Sequence, residues 1–114
     1  MGVNVKLPNG GDAIIDERKL WGYALNPLHP QGAQHSILFK RLLGIDLLNW
    51  RTLRTELARA ARDEEAVPGK TSTYGTKFEI RSVMTGPRGS YTILSVWMVS
   101  AGTDLPRLVT TYIE

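Results

Sequence analysis

The sequence predicts an α+β fold, with a helical layer first and an antiparallel meander sheet after it. Three features carry that expectation. Apolar residues recur at helical spacing from residue 16 to residue 62. After Pro68-Gly69 the period changes to strand alternation, and turn-forming residues fall at each changeover. At 114 residues the chain fits one domain, 42% hydrophobic and 22% charged, which is enough to bury a core without disulfide or metal staples. It divides into an opening hairpin over residues 1–15, a helical layer over 16–62 and a sheet over 74–114.

In the opening segment Val3, Val5 and Leu7 alternate with polar residues. Pro8-Asn9-Gly10-Gly11 then supplies a turn, and Ala13-Ile14-Ile15 returns as the second arm of a hairpin. Asp16 is an N-cap for a first helix from Glu17 to Leu25, with Leu20, Tyr23 and Ala24 on one side. Asn26-Pro27 ends it, because a residue before proline is pushed out of the helical region. Leu28-His29-Pro30-Gln31-Gly32 is a rigid corner. A second helix is expected from Ala33 to Leu43, closed by Gly44 as its C′ residue. Asp46 caps a third, Leu47 to Arg62, whose stripe of Trp50, Leu53, Leu57 and Ala61 faces the core.

Three strands follow, Thr76–Thr85, Ser90–Ser100 and Pro106–Ile113, the first two joined by Gly86-Pro87-Arg88-Gly89. The strand through Trp97 is apolar on both faces and is therefore expected at the centre. In the last strand, simple alternation places Arg107, Val109 and Thr111 on one face and Leu108, Thr110 and Tyr112 on the other.

Composition closes off several chemistries. Without cysteine there is no disulfide framework, thiolate metal site or cysteine nucleophile, and the two histidines lack metal-binding spacing. Walker A, GxGxxG and GxSxG patterns are missing. No cofactor is expected. No apolar run is long enough to span a bilayer, and the expected location is cytoplasmic. The net charge of +3 suits a polyanionic partner. The cations Arg51, Arg54, Arg59 and Arg62, followed by Asp63-Glu64-Glu65, fit a solvated helix face better than a nucleic-acid stripe.

Two polar groups remain as candidates for chemistry. The first is His29 in the corner with His35 and Lys40 on the helix after it; Lys40 lies about 140° around the helix from His35, so the two do not share a face. The second is Arg107 with Thr110 and Tyr112 on the last strand. Each has a plain structural alternative. His29 would fasten its turn by bonding a turn carbonyl, Lys40 would be a surface cation, Arg107 would pair with Asp104, and Thr110 and Tyr112 would be ordinary strand formers.

The chain resembles a family of small uncharacterised bacterial domains. The resemblance runs through Lys19-Leu20, Tyr23-Ala24-Leu25-Asn26, His29-Pro30, Gly32, Phe39 and Leu43-Gly44. It continues through Tyr74-Gly75, Gly86, Gly89, Trp97, Pro106-Arg107-Leu108-Val109-Thr110 and Tyr112. His35-Ser36 stands where the family pattern has a Lys-Ala pair. The layout is similar to the superfamily that joins barnase, EndoU, colicin-type and RelE-like ribonucleases, many of them toxins with a neutralising protein partner. That resemblance implies metal-independent RNA cleavage. The catalytic candidates are His29, His35, Arg107 and Thr110, with Lys19, Lys40 and Tyr112 holding the RNA. A non-catalytic protein- or nucleic-acid-binding module is the alternative, and fold likeness alone does not choose between them.

Overall fold

The structure is a computed structural model that describes residues 5–114. Val3, in the first arm of the expected hairpin, lies outside the described residues. Among those described, a helical layer covers one face of a four-stranded antiparallel sheet. The helices are a π-type turn at Leu20–Ala24, helix α1 (Ala33–Leu38) running into a second π-type turn at Phe39–Leu43, and helix α2 (Trp50–Asp63). The strands are β1 (Ala66–Ser72), β2 (Gly75–Gly86), β3 (Gly89–Ser100) and β4 (Pro106–Ile113), in the order β1-β2-β3-β4.

The α+β class and the helix-then-sheet order follow the expectation. β3 pairs with both β2 and β4, which makes it central, and Ile93 and Trp97 are fully buried on it. The α2 stripe is core as well: Leu53 and Leu57 are inaccessible to solvent. Asp46 caps this end of the layer. Its carboxylate accepts the Leu48 N–H at 2.9 Å, while its own N–H donates to Asn49 Oδ1 at 2.7 Å. A 3-10 turn at Leu47–Asn49 leads into α2, so the α-helix proper starts at Trp50. Gly44 takes the left-handed conformation (φ 68°) that ends the second helical segment.

Four details depart from the sequence expectation. The opening segment turns as expected, but its arms pair with other elements rather than with each other. Lys6 bridges Glu65, while Ile14 lies parallel to Arg107. The apolar residues of this segment, Leu7 and Ile15, are buried in the common core, which two isolated hairpin arms could not achieve. The first helix keeps nearly its expected extent, being helical from Arg18 to Ala24, but from Leu20 on it is wound as a π-type turn before the Asn26-Pro27 stop. β1 was not expected. It is an edge strand, exposed after Ala66 and irregular between Pro68 and Thr71, so it has no apolar alternation to read.

The fourth departure concerns β4. Val96 pairs with Thr110 but Trp97 pairs with Leu108, so Val109 is an extra residue, a β-bulge. Beyond the bulge the faces exchange. Leu108, Thr111 and Ile113 are buried against the helices, while Arg107, Thr110 and Tyr112 share the opposite, outer face. Simple alternation had separated Arg107 from the other two.

The core is anchored by a buried polar chain. Trp97 Nε1–H donates to Ser95 Oγ at 2.9 Å, and the Ser95 hydroxyl reaches the Ile80 carbonyl at 3.4 Å. On the neighbouring strand Thr111 Oγ1 donates to the Leu94 carbonyl at 2.9 Å. These three polar side chains thereby find partners, as burial requires, whereas the buried Ser82 hydroxyl has none among the described residues.

Candidate functional site

The site is assembled where the first two helical segments meet the edge strand β4. In the π-type turn, Leu25 N–H donates five residues back to the Leu20 carbonyl at 2.8 Å. Such wide turns often mark functional positions. Lys19 and Tyr23, four residues apart, both face β4 and line a depression of about 340 Å³ with Val109 and Thr110. The bulge at Val109 thus opens directly into it. Bulges re-aim side chains in this way beside many active sites.

The corner that follows is held by its own polar groups. Asn26 Oδ1 accepts the Leu28 N–H at 3.0 Å. His29 Nδ1 accepts two backbone N–H groups, from Gln31 and Gly32, each at 3.0 Å. With its Nδ1 lone pair occupied, the imidazole carries its proton on Nε2, an assignment made from the bonding network. The fastening role anticipated for His29 is present, although the partners are N–H donors rather than a carbonyl. Its ring meets Tyr23 edge-on, with centroids 4.6 Å apart. Gly32 is required at this contact: a Cβ there would lie 2.2 Å from the Tyr23 carbonyl oxygen.

One turn into α1, His35 stacks on Tyr112, with ring centroids 5.1 Å apart and planes inclined by 24°. Neither ring nitrogen of His35 takes part in a hydrogen bond among the described residues. The site therefore reads, along β4, as Thr110 beside Lys19 and Tyr23, then Tyr112 beneath His35, with His29 behind Tyr23. All of these side chains except exposed Lys19 are half-buried.

The local electrostatics leave Lys19 as the available cation of its turn. Its neighbour Arg18 is engaged by Asp16 through two side-chain bonds of 3.1 and 2.8 Å. That guanidinium, with the Arg18 backbone N–H, holds the Asp16 carboxyl down to about 2. Lys19 takes part in no ion pair among the described residues. The cation, phenol and hydroxyl of Lys19, Tyr23 and Thr110 line a depression that can bind a phosphate group, and His29 against Tyr23 and His35 on Tyr112 are the imidazoles near this end of β4.

Of the residues singled out from sequence, Lys19 and Thr110 share the depression, His29 meets its lining residue Tyr23, and His35 pairs with Tyr112 two residues further along β4. Arg107 is exposed one step along the same outer face of β4, opposite Met98, and does not line the depression. It makes no ion pair with Asp104 among the described residues; the Asp104 carbonyl instead accepts the Asn9 side-chain amide at 2.9 Å. Lys40 lies elsewhere. It lines an apolar groove of about 460 Å³ with Leu25, Pro27, Ile37, Leu47 and Leu48, in keeping with its angular separation from His35. Sequence reasoning had assigned Tyr23 only to an apolar side and missed the Val109 bulge. Tyr23 had a signal, because it sits between Lys19 and His29 in the block that carries the resemblance. The bulge had none, since it appears only in the pairing with β3.

Comparisons with known proteins place these features in context. A family model described as "Domain of unknown function (DUF6883)" matches residues 6–114. No curated protein matches the chain. Among solved structures, the fold is similar to a chain in a contact-dependent growth inhibition toxin–immunity protein complex from Klebsiella pneumoniae 342. The TM-score is 0.63 at 23% identity, over 90% of this chain and 100% of that one.

Proposed function

This chain belongs to that family of unknown function, and from that premise we propose that it is a metal-independent ribonuclease of toxin type. The observation that carries the reading is the depression that Lys19, Tyr23 and Thr110 line beside β4, with His29 against Tyr23 and His35 stacked on Tyr112 of the same strand. The fold likeness to a chain in a toxin–immunity complex supports it.

In this reading the scissile phosphate sits in the depression between Lys19 and Thr110. The unbonded imidazole of His35 takes the proton of the ribose 2′-hydroxyl. The freed oxygen attacks phosphorus, the bond from phosphorus to the 5′-oxygen breaks, and that oxygen accepts the proton that His35 took up, while the His29 Nε2–H donates a hydrogen bond to the phosphorane. The products are a 2′,3′-cyclic phosphate and a 5′-hydroxyl. Lys19 and the Thr110 hydroxyl stabilise the charge gathering on the phosphorane oxygens, and Tyr112 fixes the His35 ring by stacking. The family's Lys-Ala pair is His35-Ser36 here, so the proton-transfer group at this position is an imidazole rather than an amine.

The test is cleavage of end-labelled single-stranded RNA by the purified protein in the presence of chelator, with the product ends identified. His35→Ala should lower the rate by about 10²–10⁴-fold, the usual share of acid–base catalysis, with an unchanged thermal midpoint. Cleavage that persists undiminished in His35→Ala, or no cleavage of any RNA, would overturn the assignment.

A second reading has an observation of its own. The groove beside Lys40 is apolar, and near it Ile37, Leu47 and Leu48 are 50%, 41% and 92% exposed. A non-catalytic module that binds protein would use such a surface, and so would a toxin that is held by a neutralising protein. Failure of the RNA assay together with a protein complex that is lost in Leu48→Glu would favour the non-catalytic module.

A further inference from the structure

The outer face of the sheet continues beyond the site, and it carries two cations that the chemistry above does not use. Lys77 on β2 pairs with Met98 on β3, which pairs with Arg107 on β4, so the three residues form one row across the sheet. Both cations are exposed, and neither takes part in an ion pair among the described residues. Their backbones are two strand spacings apart, about 9.5 Å. Two long side chains can close that gap above Met98. The next row is Glu79, Val96 and Thr110. The Arg107 row therefore stands one outer-face step from the Thr110 row, about 6.8 Å along the strand. That is close to one nucleotide step of an extended chain.

Two carboxylates of this face are already engaged, since Arg81 holds Glu114 at 2.7 Å and Glu79 at 3.6 Å. Bonding to Arg81 lowers the Glu114 carboxyl below its ordinary range. The exchange of faces at Val109 is what puts Arg107 on the same side as Thr110. In a regular ladder a spacing of three along a strand would point the two side chains apart.

We propose that Lys77 and Arg107 form a second phosphate subsite, one nucleotide from the reacting phosphate, so that the substrate is an RNA strand of at least three nucleotides. This inference rests on the ribonuclease reading for the position of the first phosphate. A guanidinium and an ammonium converging over a thioether recognise a phosphodiester by charge and by hydrogen bonds, with no base to read. The subsite therefore selects for strand length rather than sequence.

The experiment compares kcat/KM for a dinucleoside monophosphate, which has one phosphate, with that for a trinucleoside diphosphate, which has two. In the unaltered protein the longer substrate should be preferred by about tenfold or more, the value of one charge-assisted contact. In Lys77→Ala/Arg107→Ala the preference should fall to about twofold or less. Both positions are exposed, so the thermal midpoint should stay put. In parallel, binding of a 2′-O-methyl trinucleotide, which cannot be cleaved, should weaken about tenfold in the double variant. If no RNA is cut but this weakening is seen, the ribonuclease reading fails and the subsite stands. Cleavage with equal preference in both proteins, or trinucleotide binding that the double variant leaves unchanged, overturns the subsite.

Discussion

His29 spends one ring nitrogen on structure, while the other makes no hydrogen bond among the described residues. Its Nδ1 holds the Gln31 and Gly32 N–H groups, and this makes the side chain a donor at Nε2. Replacement by alanine should therefore act twice, loosening the corner as well as removing the donor, unlike His35→Ala. Nitrogen chemical shifts of the two imidazoles check the distinction: His29 should show the Nε2–H tautomer near neutral pH. Gly32 belongs to the same contact. Gly32→Ala would press a methyl group against the Tyr23 carbonyl. The corner should lose its place against the π-type turn, with both stability and activity falling by more than a Gly→Ala change costs at an open site, where it is neutral or helpful. A further residue-scale prediction concerns Asp16, lowered from 3.8 to about 2, chiefly by its side-chain bonds to Arg18. A depressed carboxylate adds stability above its unfolded value and loses it as pH falls through its folded one. The window for Asp16 is thus pH 4 to 2, and a carboxyl carbon titration should place the midpoint near 2. In Arg18→Ala the midpoint should rise toward 3.8.

The elements divide into those that make the core and those that aim the site. Helix α2 is of the first kind. Leu57 is fully buried on it, and Leu57→Ala should cost about 2–5 kcal/mol, read from urea unfolding. A loss below about 0.5 kcal/mol would mean the stripe is not core. β4 is of the second kind, through its bulge. Deleting Val109 leaves Leu108 opposite Trp97 and Thr110 opposite Val96, since the bulge residue has no partner on β3. The deletion should fold, because every apolar side chain keeps its face. RNA cleavage should nevertheless drop sharply, since the local kink that turns Thr110 toward Lys19 is lost. A deletion variant as active as the parent would show that the bulge has no part in the site.

At the scale of the whole molecule, charge is distributed unevenly between use and reserve. The arginines of α2 are largely committed: Arg59 to Glu56 and Glu64 at 2.7 and 2.9 Å, Arg62 to Asp63 at 2.9 Å, and Arg51 to the Trp50 ring at 4.6 Å. Such exposed pairs contribute little to stability, but they remove the helix as a phosphate stripe. Lys19, Lys77 and Arg107 carry no such partner among the described residues; Lys19 lies beside β4, and Lys77 and Arg107 share one row across the outer face of the sheet. Affinity for single-stranded RNA should therefore fall steeply with salt. Three phosphate contacts give a slope of about −2 in log affinity against log salt, and Lys77→Ala/Arg107→Ala should flatten it by about 1.4. A salt-independent affinity would remove all three as phosphate ligands.

Local chemistry alone determined much of this protein. The change of period after residue 68, the Asp46 cap, the Gly44 stop and the two-faced apolar run through Trp97 are each legible over a few residues, and the structure keeps them. The corner and the strand end each present their polar groups in one short block, which is why Lys19, His29, His35, Thr110 and Tyr112 could be singled out before their contacts were known. Tertiary pairing decided the rest. The edge strand β1 exists because β2 offers it a ladder, not because its side chains alternate. The arms of the opening segment part company because the core and the Ile14–Arg107 bridge give them better partners than each other. Arg107 and Thr110 share a face only because β3 skips Val109. Bulges and edges are properties of a partner strand's hydrogen bonds, and the residues that make them carry no local mark of it.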